Sequence, residues 1–238
     1  MTATPTAKKI VYACPVDHHN SIIFITSWFH GREAHTSLLL VPDFAAPIEL
    51  YATFASQLVQ AGVHVYLYNQ REKSLSVRKR DLLQVAAWIR HREEGVPPIL
   101  VSKGLGALLC SYFSVQYPKF CRGVLSIDPV SSVHFSFPGQ REFLLFFAEM
   151  FPNMSVPAWL NCLRTQGQSS PPPILFHTLL DFLPRLLRPT GGQSLLQGRE
   201  IRPHRVLTSN AAPTSLEFFQ EGVLSWVMDT FSPTTKPE

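Results

Sequence analysis

The residues of this chain best placed to organise chemistry gather at 97–113, where Pro97-Pro98-Ile99-Leu100-Val101-Ser102-Lys103 runs into Gly104-Leu105-Gly106-Ala107-Leu108-Leu109. The apolar run after two prolines reads as a buried strand, the two glycines as a tight turn, and the apolar spacing beyond them as a helix. Such a turn puts a helix N-terminus at the end of a strand, where backbone N–H groups and the helix dipole favour an anion such as carboxylate or phosphate. Gly104 and Gly106 give close backbone access there, Leu105 lies between them, and Lys103 adds positive charge. Covalent catalysis at this point would need an activated oxygen or sulfur held against a base.

The rest of the chain predicts the framework for that turn. Lys9–Val16 and Ser21–Phe29 read as β-rich runs around a polar turn, an N-terminal hairpin. Leu38-Leu39-Leu40-Val41 is a continuous apolar run of the kind found in strands covered on both faces. It ends at Pro42-Asp43-Phe44, and Ile48–Ala61 then has helical spacing up to Gly62. Val63–Tyr68 is a strand, Val77–Arg92 a helix with Leu82, Val85, Ala86 and Ile89 inward, and Gly123–Asp128 a further strand. Strands alternating with helices predict the α/β class: a mainly parallel central sheet with helices on both faces, residues 38–41, 63–68, 99–103 and 124–127 being adjacent central strands.

Residues 131–170 interrupt this alternation with Phe143, Phe146, Phe147, Met150 and other aromatic or apolar residues between prolines. They are expected to form a small, mostly helical cap over the carboxyl ends of the strands, where ligands bind in open α/β sheets. Ile174–Thr178 and His204–Thr208 read as the last strands, and Thr214-Ser215-Leu216-Glu217 as a capping box opening a helix that runs to Phe231. The expected organisation is a disordered lead at 1–9, one domain over 10–231 with the cap inserted, and a flexible tail at 232–238.

Composition narrows the function classes. The 238 residues, 45% of them hydrophobic, suffice for one full core. A net charge of +4 and a pI near 9.0 are mildly basic. The positive residues scatter except at Arg78-Lys79-Arg80, with no aromatic residues interleaved, which argues against nucleic acid. Cys14, Cys110, Cys121 and Cys162 are widely spaced without a C-x-x-C pair, fitting free thiols in a reducing compartment rather than a disulfide framework or a metal site. The apolar run after Lys8-Lys9 is too short for a signal-peptide core, and no run approaches the roughly 20 residues of a membrane span. The expectation is a soluble cytoplasmic protein with no transmembrane segment, metal or cofactor.

The strand–turn–helix at 97–113, the order of elements, and the segment Ser74-Leu75-Ser76-Val77 with Leu82–Ile89 together resemble the α/β-hydrolase superfamily over residues 10–231. Within it the chain is similar to small acyl esterases, monoacylglycerol-lipase-type hydrolases and the bioluminescence acyl-ACP thioesterase group. The resemblance implies a G-x-S-x-G nucleophile elbow. In that register Ser102 takes the first glycine, Gly106 the last, and the nucleophile position falls on Gly104, which has no side chain. Ser102, two residues earlier, reads as a polar strand terminus, or as a substitute nucleophile if the register slips.

Three further parts of the machinery are implied. The oxyanion hole belongs after the third strand, so that the N–H groups of Phe44 and Leu105 would converge. Asp43 there either opposes negative charge or serves as an Asx-type turn residue. The acid position falls on Asp181, in a D-x-x-x-P arrangement, or on Asp128, before Pro129; either is otherwise a loop aspartate. The base belongs in the loop before the final helix, where this chain reads Ser209-Asn210-Ala211-Ala212-Pro213-Thr214. His134, His177 and His204 lie elsewhere and read as structural or surface residues. A triad acts as a unit, so the expectation is a hydrolase fold without a working triad, binding a fatty-acyl or other small apolar or anionic molecule at Phe44, Lys103, Gly104, Leu105 and Gly106, or a protein partner through the cap. The alternative is an active esterase, thioesterase or acyltransferase with displaced groups.

Overall fold

Period-2 alternation along apolar strands sorts their side chains onto two faces, and both faces here carry a core. On one, Leu39, Val41, Tyr66, Tyr68 and Leu100 pack with Leu82, Val85, Leu105, Leu109 and Phe113. On the other, Leu38, Leu40, Val65, Leu67, Ile99 and Val101 pack with Tyr51, Phe54, Leu58, Val223 and Trp226. The computed structural model describes residues 7–15, 21–29, 36–43, 49–71, 75–133, 138, 140–150, 154, 156–157, 163–165, 203–207 and 219–231.

The strands are β1 (Lys8–Pro15), β2 (Ile22–Phe29), β3 (Ser37–Val41), β4 (His64–Tyr68), β5 (Ile99–Lys103), β6 (Gly123–Ile127), β7 (Val130–Val133), β8 (Leu163–Thr165) and β9 (His204–Leu207). The helices, numbered α1 to α5, are Glu49–Gln60, Leu75–Arg92, Gly104–Gln116, Gln140–Met150 and Gln220–Phe231. Seven strands form one sheet in the order β1-β2-β4-β3-β5-β6-β9. The β1–β2 hairpin joins β4 antiparallel, and β4, β3, β5, β6 and β9 run parallel. The four strands expected at the centre are there and adjacent. α2 and α3 cover one face, α1 and α5 the other.

The insertion after β6 is less purely helical than its aromatic content suggested. Alongside α4 it contains a two-stranded antiparallel ribbon of β7 and β8. β7 begins three residues after the carboxyl end of β6, the same end of the sheet at which β5 meets α3. Val130, Leu144 and Val156 join the buried cluster that contains Leu105. The strand expected at 174–178 and the capping box at 214–217 lie outside the described residues.

Candidate functional site

Register sets what stands beside Gly104. Val41 of β3 lies beside Ser102 of β5, so two residues farther on Asp43 comes level with Gly104. Lys103 lies beside Ile127, which brings Asp128 level on the other side. Leu40 lies beside Leu67, and Gln70 thereby comes level with Asp43. The strands thus end in a row: Gln70, Asp43, Gly104, Asp128.

Gly104 opens α3 with φ +57°, in the left-handed region that costs a residue with a side chain about 1–3 kcal/mol. This is the backbone of an elbow, with glycine at its apex. The space over it is taken. A Cβ placed on Gly104 would lie 2.5 Å from Asp43 Oδ2 and 3.0 Å from Asp43 Cγ. The Leu105 N–H donates to Asp43 Oδ1 at 3.2 Å. The Asp43 side chain thus supplies the acceptor at the helix N-terminus; the residues that an Asx-type turn at Asp43 would use lie outside the described ones.

Capping explains why the helix accepts it. The first N–H groups of a helix lack partners within it, and the N-cap residue Lys103 makes no side-chain cap. A lysine ammonium can only donate, so the acceptor comes from β3 instead. Gly106 permits the approach: the carbonyl oxygens of Pro42 and Val41 lie 3.0 and 3.1 Å from where its Cβ would stand.

The remaining sequence candidates separate. Ser102 has the parity of Leu100 and is buried on the α3 side of the sheet. Its hydroxyl lies against the Cys110 thiol without a hydrogen bond of normal geometry among the described residues. Burial pushes that thiol up to about 12, with Ser102 acting in the opposite direction, the reverse of the lowered value of a reactive thiol. Asp128 is fully buried, with φ +41°, and its N–H donates to the Leu207 carbonyl at 2.9 Å. It is the corner residue that turns the chain out of β6, a conformation aspartate tolerates better than most residues.

Phe44, Asp181, His134, His177 and the loop 209–214 lie outside the described residues. Of the described histidines, His64 begins β4, His91 lies in the last turn of α2 and His204 begins β9. All three positions are at the amino-terminal edge of the sheet, opposite Gly104.

The residues that support the turn had no signal in the sequence. Asp43 N–H donates to Tyr51 Oη at 2.8 Å, and burial pushes the Tyr51 hydroxyl well above its usual value. Gln70 Nε2 donates to the Pro42 carbonyl at 2.9 Å. Arg78 donates to Gln70 Oε1, and Arg71 meets Asp81 in a two-point pair, with Nε to Oδ2 at 2.8 Å. Arg78 and Asp81 are 2% and 1% exposed, which anchors this polar network in the buried interior.

Helix α4 offers a different surface. On α4, Leu144 faces the core while Phe143, Phe146 and Met150 are 40%, 57% and 59% exposed. Their spacing of three and four places them along one side of the helix. The Phe147 ring lies 4.7 Å from that of Phe143 and 5.8 Å from that of Phe146. Among the described residues no three metal-ligating side chains come together, and no helix is long and apolar enough to cross a membrane.

No protein-family profile and no curated protein matches the sequence. Solved structures do match the fold. A soluble variant of monoglyceride lipase from Saccharomyces cerevisiae, in complex with a substrate analogue, superposes with a TM-score of 0.66 at 10% identity, covering 98% of each chain. The α/β hydrolase GrgF from Penicillium sp. sh18 gives 0.64 at 11% identity over 95% of this chain and 99% of that one. Against the esterase Est22 the chain spans only about half of that protein's length, 48%, with 58% of its own, at 11% identity and a TM-score of 0.49. The fold is therefore that of the α/β-hydrolases.

Proposed function

We propose that this chain is an α/β-hydrolase-fold protein that works by binding and does not catalyse acyl transfer. The observation that carries this reading is the apex: Gly104 supplies no nucleophile, and the Asp43 carboxylate stands where the side chain of one would begin. The sequence of the loop before the final helix, without histidine, supports it independently. The competing reading is an ester or thioester hydrolase with displaced catalytic groups. Its support is the likeness in fold to a monoglyceride lipase, and fold alone does not carry chemistry.

For the ligand, the geometry favours an apolar group over an anionic one. Asp43 already holds the Leu105 N–H, so an incoming carboxylate at Lys103–Gly106 meets an occupied donor. The exposed phenylalanines of α4 suit a fatty-acyl chain or a similar apolar molecule. Cys14 and Cys110 are free, buried thiols, as suits a reducing compartment such as the cytoplasm.

The experiment is labelling of the purified chain with a fluorophosphonate, which needs an activated serine, beside binding of an apolar fluorophore. No covalent adduct is expected, and Phe146→Asp should weaken fluorophore binding severalfold. Stoichiometric labelling of any serine establishes the enzyme reading instead. Fluorophore binding untouched by Phe146→Asp moves the ligand off α4 and leaves that face to a protein partner.

A further inference from the structure

The contacts around Asp43 form a clamp on its turn. Tyr51 from α1 takes the Asp43 N–H at 2.8 Å. Gln70, beyond β4, holds the carbonyl of the preceding Pro42 at 2.9 Å and is itself held by the buried Arg78 of α2. From below, the first turn of α3 supports the same residues, since the Pro42 and Val41 carbonyls rest against Gly106. Three separate elements therefore fix the backbone that aims the carboxylate. Its two oxygens have distinct places: Oδ1 lies 3.2 Å from the Leu105 nitrogen, and Oδ2 lies over the Cα of Gly104, where a side chain would project.

An oxyanion site works through main-chain donors aimed at a single point, and it holds one anion at a time. We infer that Asp43 is the resident ligand of this site: an internal carboxylate that occupies the anion position of the elbow and closes it to external carboxylates. The Leu105 N–H at the start of α3 is then a latent carboxylate-binding group, satisfied from within the chain. The absence of a side chain at Gly104 is the counterpart of the same arrangement, because a Cβ there and the Asp43 carboxylate cannot share the space. This deepens the non-catalytic reading and rests on it in one respect, that the apex has no side chain of its own to compete for the position.

The test follows the Leu105 amide resonance in the isotopically labelled full chain during titration with sodium acetate, chloride holding the ionic strength. In the native chain the resonance should stay in place. In Asp43→Ala, acetate should move it saturably and raise Tm above that in chloride. Asp43→Asn keeps the shape and removes the charge, and its Leu105 amide should lie upfield of the native position.

Acetate moving the native Leu105 resonance as far as that of Asp43→Ala overturns the inference. So does a folded Asp43→Ala whose resonance ignores acetate. If Asp43→Ala does not fold, Asp43→Asn decides alone: a Leu105 shift identical to the native one shows that the carboxylate is not bonded there. Failure of the non-catalytic reading appears elsewhere, as fluorophosphonate labelling of the native chain, and is read without any Asp43 variant.

Discussion

β4 connects two ends of the sheet that are built from similar residues and are physically unlike. At its amino end, His64 Nδ1 lies 3.1 Å from Glu93 Oε1, and Tyr66 donates to the same oxygen. Arg92 stacks beside them, its guanidinium 4.5 Å from the Tyr12 ring and 5.6 Å from the Trp88 ring. At its carboxyl end, Tyr68 accepts from Gln70 at 3.5 Å, and beyond lie Arg78, the Arg71–Asp81 pair and Asp43. The first end is half open to water and holds an imidazole beside a carboxylate. The second encloses Arg78 and Asp81 almost completely, holds carboxylates beside the elbow, and has no imidazole among its described residues. The chain thus possesses a histidine–carboxylate pair, at the end of the sheet where no elbow exists. Placement within reach of the reacting atoms decides chemistry, and an inventory of residue types does not.

That contrast can be broken most forcefully at Asp81. Asp81→Ala leaves the largely buried Arg71 without its two-point carboxylate, and breaking a buried pair in this way costs about 3–5 kcal/mol. Chemical denaturation should show a loss of that size, with fluorescence and circular dichroism reporting one transition. A loss below about 1 kcal/mol, the size of a surface pair, would mean that the carboxyl end is as wet as the amino end.

Gly104→Ala comes next. Left-handed backbone costs about 1–3 kcal/mol, and pressing a methyl group against the Asp43 carboxylate adds about 1–3 kcal/mol of overpacking. In the Asp43→Ala background the second part should vanish and leave the backbone cost alone. Equal losses in the two backgrounds, measured as a double-mutant cycle, would show that Asp43 does not crowd the apex.

The smallest effect is expected at the amino end. Burial raises the Glu93 carboxyl, but hydrogen bonds from His64 and Tyr66 and the charges of His64 and Arg92 outweigh it and hold the group below its ordinary 4.5. A depressed carboxyl stabilises the folded state above its unfolded value, and that stability is lost as pH falls through the folded value. Glu93→Gln should therefore cost on the order of 1 kcal/mol at neutral pH and flatten the fall of Tm below about 4.5, the ordinary carboxyl value. An acid limb of Tm against pH that is unchanged in Glu93→Gln would remove Glu93 from the titrating groups that matter.

The sequence alone determined the α/β plan, because burial on both faces of a strand demands a continuous apolar run and a helix demands its 3.6-residue spacing. Both patterns are local, as Leu38–Val41, Ile99–Val101 and Leu82–Ile89 show. It also determined that glycine stands at the apex, since a strand–glycine–helix turn is written in consecutive residues. The ribbon of β7 and β8 was not legible, because it pairs segments thirty residues apart, and the aromatic residues of the insertion carry no period of two. Only the tertiary structure decided what fills the elbow. Asp43 and Leu105 meet across the register of β3 and β5, and Tyr51 of α1 and Gln70, the latter held by Arg78 of α2, converge on one turn. Such a meeting is set by how parallel strands align in space, and hydrogen bonds made across that distance leave no trace in the order of the residues.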